Sequence, residues 1–225
     1  MKKMKKTLFA FAILSALTTI STAQNVDLAT ERGLMSKNIS TKINAVGTPY
    51  VNEKYEPLKI KGFSDKVYSG RFNAYNGEME VKLNEGNIIA LDVKGNYEVN
   101  FVNSKKVYRT FSYESYTGLS RKGFLVVIGE NEKFSLLKKE WIKYYEKVEA
   151  ASSYQPDKPA KFRREDDRYY LKLGNAIKPF PSKKKDLLKA YPKHSKKIKS
   201  YIKENKLSTK KEKDLLKIAE YVSTL

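Results

Sequence analysis

From about residue 66 to residue 178, apolar positions recur every second residue in short runs separated by turn residues. Tyr68, Gly70, Phe72 and Ala74 share one side of the first run. Tyr75-Asn76-Gly77 follows, and Asn-Gly is the strongest short hairpin signal because both residues accept positive φ. Met79, Val81 and Leu83 then alternate with Glu78, Glu80 and Lys82. Asn84-Glu85-Gly86, Lys94-Gly95-Asn96 and Asn103-Ser104 punctuate further runs, centred on Ile89 to Val93, Tyr97 to Phe101 and Val107 to Tyr113. Phe124 to Ile128 is continuously apolar, as a strand buried on both faces would be. A period of two with turns about every ten residues predicts an antiparallel meander, and the connections are too short for the crossovers that parallel strands need.

Residues 134–148 fit two patterns. Leu137, Trp141, Tyr144, Tyr145 and Val148 make a helical stripe, but the aromatic content favours a strand, which is the expectation adopted. Residues 150–160 read as a loop, and Arg168 to Leu173 alternates again before a Gly174-Asn175 turn into a short strand at 176–178. Residues 24–65 show no sustained period, and Gly47-Thr48-Pro49 and Glu56-Pro57 act as breakers, so this stretch is expected to be a surface tail or linker.

After Pro179-Phe180-Pro181 the period becomes helical. Ser182 is a candidate N-cap for a helix over 183–190 with Leu187, Leu188 and Tyr191 inward; a second helix over 193–204 carries Ile198, Tyr201 and Ile202. Thr209 with Glu212 three residues on has the form of a capping box, predicting a third helix over 210–222 with Leu215, Ile218, Ala219 and Val222 inward. The expected fold is therefore mainly β (α+β overall): an antiparallel sheet, sandwich or barrel of about eight or nine strands over 66–178, then a three-helix module over 179–225. No repeat of fixed period suggests a propeller or solenoid.

Composition adds an address. Lys2, Lys3, Lys5 and Lys6 precede an apolar run from Leu8 to Leu17, and small residues lead to Ala23 before Gln24. That order is a secretory signal over 1–23 with cleavage between Ala23 and Gln24. Its apolar run is shorter than the roughly 20 residues that span a bilayer. With no cysteine at the cleavage point there is no lipid attachment, and no later segment is apolar enough to span. The expected location is periplasmic or secreted. The absence of cysteine also rules out a disulfide scaffold and thiol chemistry.

Charge changes the picture most. The formal net charge is +20, and removing the four signal lysines leaves +16. Residues 179–225 hold fourteen lysines, five acids and no arginine, and so carry +9 of it. Lysine is a hydrated point charge, whereas arginine suits bidentate recognition of phosphates and bases. The pattern points to diffuse attraction to an anionic surface and away from sequence-specific nucleic-acid reading. The candidate contact residues are Lys183, Lys184, Lys185, Lys193, Lys196, Lys197 and Lys199, with Arg163 and Arg164 from a second basic group interleaved with Phe162, Tyr169 and Tyr170. Candidate partners are an anionic membrane surface, an acidic polysaccharide or an envelope protein.

Catalytic and cofactor signals are weak. The one histidine, His194, lies among lysines that disfavour an imidazolium, so it reads as a first-turn packing or surface residue. Glu165-Asp166-Asp167 beside Arg163, Arg164 and Arg168 reads as a self-neutralised turn, without the alternating donors of a calcium loop. Gly118 and Gly123 have the spacing of a phosphate loop, but Phe124 stands where that motif needs lysine. No metal or cofactor is expected. The leading expectation is a non-enzymatic envelope or extracellular binding protein. A hydrolase using dispersed carboxylates and a small β-barrel carrier of an apolar ligand are the alternatives.

Overall fold

A computed structural model describes residues 36–63, 65–84, 87–150 and 156–225. The export signal and its cleavage point at Ala23 and Gln24 lie outside the described residues. Thirteen strands are described: β1 (Ser36–Lys37), β2 (Glu56–Ile60), β3 (Tyr68–Asn73), β4 (Glu78–Asn84), β5 (Asn87–Leu91), β6 (Glu98–Phe101), β7 (Val107–Glu114), β8 (Ser120–Glu130), β9 (Phe134–Lys139), β10 (Ile142–Tyr145), β11 (Lys161–Arg164), β12 (Arg168–Leu173) and β13 (Ala176–Pro179). Three helices follow: α1 (Lys184–Ala190), α2 (Ser195–Glu204), entered through a 3-10 turn at Pro192–His194, and α3 (Glu212–Val222).

Eleven strands form one antiparallel sheet in the order β1-β5-β4-β3-β2-β6-β7-β8-β9-β12-β13, which does not close into a barrel. The meander reads straight off the chain from β6 to β9, where each hairpin supplies the next neighbour. Asn76-Gly77 turns β3 into β4 with Gly77 at φ 71°, a conformation that side chains resist.

The sheet curls. The Phe72 and Tyr108 rings lie 4.8 Å apart although β3 and β7 are three steps apart in the sheet. On a flat sheet three steps span about 14 Å. Phe124, one strand further, still reaches Phe72 edge-on at 6.4 Å. The concave face is filled by Leu58, Ile60, Phe72, Val99, Phe101 and Tyr108, all buried. Beyond β7 the opposite face becomes interior: Tyr113, Leu125, Leu137, Tyr170 and Ile177 form a second cluster, and β13 comes back against β7. The first face of β9 and β12 meanwhile meets the helices, where Phe134, Leu136 and Leu171 pack with Phe180, Leu187, Ile198, Leu215 and Ile218. β9 and β12 are thus covered on both sides. This explains why Phe134 to Leu137 is buried at four consecutive positions instead of alternating.

Several boundaries depart from the sequence expectation. The stretch 24–65, expected as a surface tail or linker, supplies β1 and β2, and β2 lies between β3 and β6 with Leu58 and Ile60 buried. Pro57 is tolerated there because pairing with β6 begins only at Leu58, so the missing N–H is not needed by that neighbour. Residues 134–148 are extended as expected but break at Glu140-Trp141 into β9 and β10. β10 leaves the main sheet and pairs with β11, a strand that begins just past the 150–160 stretch read as a loop. The three helices stand where their periodicity places them, with Leu187, Ile198, Ile202, Leu215, Ile218, Ala219 and Val222 buried. No helix among the described residues is long and apolar enough to cross a membrane.

Candidate functional site

The helical module docks by its apolar stripes, and geometry then decides where its lysines go. Every residue between the inward positions of a helix with 3.6 residues per turn must face outward or sideways. All fourteen lysines of residues 179–225 are exposed, including Lys183, Lys184, Lys185, Lys193, Lys196, Lys197 and Lys199. Among the described residues, none of the fourteen makes an ion pair or hydrogen bond through its side chain. Two of the five acids that could neutralise them are turned inward. Glu212 accepts from Lys138 Nζ at 2.7 Å and Tyr169 Oη at 3.2 Å, tying α3 to β9 and β12, and Asp214 accepts from the Ser208 N–H at 3.0 Å.

Arg163 and Arg164 do not join that free set. Arg163 Nε donates to Glu165 at 2.9 Å and stacks over the Tyr145 ring at 4.6 Å. Arg164 bonds Asp167 and lies 3.5 Å from Glu140. The Glu165-Asp167 turn is therefore self-neutralised at Glu165 and Asp167, while Asp166 keeps an exposed carboxylate with no cation on it. Arg168 lies over the Trp141 ring at 4.2 Å, and the Trp141 indole N–H donates to the Asp166 carbonyl at 3.0 Å. His194 is half-buried at the turn into α2, a packing position.

The β region handles charge in the opposite way, with buried glutamates clamped by cations. Glu80 accepts from Arg71 Nε at 2.9 Å, Tyr50 Oη at 3.0 Å and Tyr55 Oη at 3.2 Å, and the Arg71 guanidinium lies 3.5 Å from the centre of the Tyr50 ring. Burial, followed by the Glu80 charge and hydrogen bond, pushes the Tyr50 phenol up to about 12. Glu78 accepts from Lys37 Nζ at 2.6 Å and Ser40 Oγ at 2.7 Å. Burial alone would raise its carboxyl, but these donors outweigh it and hold the group below the ordinary glutamate value. Glu140 has the same balance: burial opposes ionisation, while Lys106 Nζ at 2.8 Å and the Tyr108 hydroxyl bring the carboxyl down. Alternation along β4 sets Glu78 and Glu80 opposite the apolar face, a side normally left to water. The segment covering that side comes from the stretch read as a tail, so its buried role was missed. Tyr50 and Tyr55 in an otherwise polar segment were the available signal.

Where the module meets the sheet there is a cleft of about 560 Å3. One wall is Asp166, Asp167 and Tyr169; the other brings Ser182, Lys183 and Lys184 together with Thr209 and Lys210. Burial raises the Asp167 carboxyl above its ordinary value against the pull of Arg164 and Lys138. Two of the expected contact residues, Lys183 and Lys184, thus share this cleft, and the remaining five lie on the outer surface of α1, α2 and the turn between them. Among the described residues no three His, Asp or Glu side chains are grouped closely enough to hold a metal ion.

No protein-family model matches the chain, and no curated protein or solved structure does either.

Proposed function

We propose that the protein acts outside the cytoplasm, after loss of residues 1–23, as a non-enzymatic binding protein that attaches to an anionic membrane surface through its lysine-rich helices. The observation that carries this is that all fourteen lysines are exposed and unpaired on a module that is itself seated by a shared core. The cations are spread over three helices instead of lining one groove, as suits an extended array of negative charge. The outward positions are lysines and other polar groups, so contact is electrostatic and needs no insertion. Two of the carboxylates that a hydrolase could draw on are already committed. Glu140 is held by Lys106, Tyr108 and Arg164, and Asp167 by Arg164. The apolar faces of the described sheet are filled by the protein's own side chains, which disfavours a carrier of apolar ligands.

The test is sedimentation of the purified protein with anionic and neutral vesicles across a salt series. Binding is expected only to anionic vesicles and is expected to fall steeply with salt. A lysine near an anionic bilayer contributes about 1 kcal/mol, so a Lys196→Gln, Lys199→Gln, Lys203→Gln variant should bind about 100-fold more weakly. Equal binding to neutral vesicles, or binding indifferent to salt, would overturn the assignment. Salt-sensitive binding to an acidic polysaccharide without binding to vesicles would replace lipid with glycan as the anionic partner.

A further inference from the structure

Thr209 and Ser182 stand just ahead of α3 and α1, where hydroxyl side chains ordinarily cap a helix. Neither does so. α1 and α3 begin after Lys183 and Lys211, and no side chain hydrogen-bonds either cap. The Glu212 that would complete a box with Thr209 is drawn away to Lys138 and Tyr169. Thr209 is left about nine-tenths buried with a hydroxyl that bonds no protein group. Its oxygen is not sealed in, because no enclosed side-chain oxygen or nitrogen among the described residues lacks a partner. Thr209 lines the cleft, and its oxygen keeps contact with solvent. A hydroxyl that no protein group occupies is available to hydrogen-bond a molecule that enters the cleft.

The charges around it have a definite arrangement. Lys183, Lys184 and Lys210 stand on the helical side, unpaired and exposed, while Asp166 stands on the sheet side, also unpaired. Asp167, beside it, is taken by Arg164. The cleft is therefore lined by three unpaired lysines and two unpaired hydroxyl residues on the helical side and by one unpaired aspartate on the sheet side. A simple polyanion would be attracted to one wall and repelled by the other.

We propose that this cleft binds a phosphate group carrying a primary amine, the chemistry of phosphoethanolamine. The phosphate oxygens accept from the lysines and from the Thr209 and Ser182 hydroxyls, and the ammonium donates to Asp166. The volume of about 560 Å3 leaves room for whatever the phosphate is esterified to. The site shares Lys183 and Lys184 with the surface attachment but does not rest on it.

The experiment is calorimetric titration of the purified protein with O-phosphoethanolamine, O-phosphocholine and inorganic phosphate. Phosphoethanolamine should bind one to one and at least about tenfold more tightly than either other compound, because a quaternary ammonium cannot donate a hydrogen bond. Asp166→Asn should reduce phosphoethanolamine to the affinity of phosphate, and Thr209→Val should weaken both, with the melting transition unchanged. Equal affinity for phosphoethanolamine and phosphate, indifference to Asp166→Asn, or no saturable binding by folded protein would overturn the site. Vesicles of phosphatidylethanolamine in phosphatidylcholine distinguish the source. If they compete with the soluble compound the ligand is a lipid headgroup, and if they do not it is a soluble or glycan-borne phosphate; either result supports the site. These vesicles carry no net charge, so failure of the cleft and failure of anionic attachment are read separately.

Discussion

The two ends of this fold treat charge in opposite ways. The β region buries Glu78, Glu80 and Glu140 and surrounds each with cations, hydroxyls or phenols until its oxygens are occupied. The helical module buries chiefly apolar side chains and leaves every lysine in water without a partner. Burying a charge is costly, so a carboxylate stays inside only where bonding is nearly complete, and such a site resists removal of any member. An exposed lysine costs the fold almost nothing and is equally indifferent to replacement. Charge in the first region holds the structure together, and charge in the second is free to meet another molecule.

The largest expected effect breaks the seam between the regions. Phe180 is fully buried where the last strand gives way to the helices. Phe180→Ala should destabilise the whole protein by about 3–5 kcal/mol. One urea transition should be seen by tyrosine fluorescence and by helical circular dichroism alike; two separate transitions would mean that the module folds alone. For the same reason, a truncation ending at Lys178 would bare Phe134, Leu136 and Leu171 and aggregate, so it cannot serve as a lysine-free control.

Next in size is Glu140→Gln, which leaves Lys106, Arg164 and the Tyr108 hydroxyl with a poorer acceptor. A loss of about 1–3 kcal/mol in urea unfolding is expected. The pH dependence has a definite sign. Glu78 and Glu140 ionise more readily folded than unfolded, so their contribution is complete above the ordinary glutamate value, about 4.3, and is lost as pH falls through their lower folded values. Melting temperature should therefore hold between neutral pH and about pH 5 and drop below that. In Glu140→Gln the acid-side drop should be shallower.

The smallest stability effect belongs to the module. Lys213→Gln with Lys217→Gln should change unfolding free energy by less than about 0.5 kcal/mol, while salt-dependent attachment to anionic vesicles weakens measurably. A large stability change at these lysines, or none at Glu140, would dissolve the contrast between the regions.

Much of the architecture was legible. The hairpins from β6 to β9 were readable because each neighbour is the next strand in sequence and each turn carries its own signal. The three helices were readable from the spacing of Leu187, Ile198, Leu215 and Ile218. What escaped was decided at long range. Pro57 argues locally against a central strand, and only the offset between β3 and β6 makes a place for it. Residues 134–148 divide at Glu140-Trp141, where Glu140 pairs with Lys106 and Arg164, which lie far away in the chain. The capping box at Thr209 failed because Glu212 found a better partner in Lys138, seventy-four residues earlier.

Period and composition by themselves determined that the middle of the chain is an antiparallel meander, that its end is helical, and that the helices carry a lysine excess on their outer faces. These are consequences of spacing along the chain, and spacing is local. Tertiary structure alone decided which charges are spent and which are free. Whether a lysine or glutamate finds a partner depends on residues brought together by the curl of the sheet and the docking of the helices. Only that assembly separates the clamped Glu140 from the open Asp166, and it alone brings Ser182 and Thr209, which cap no helix, to the lining of one cleft.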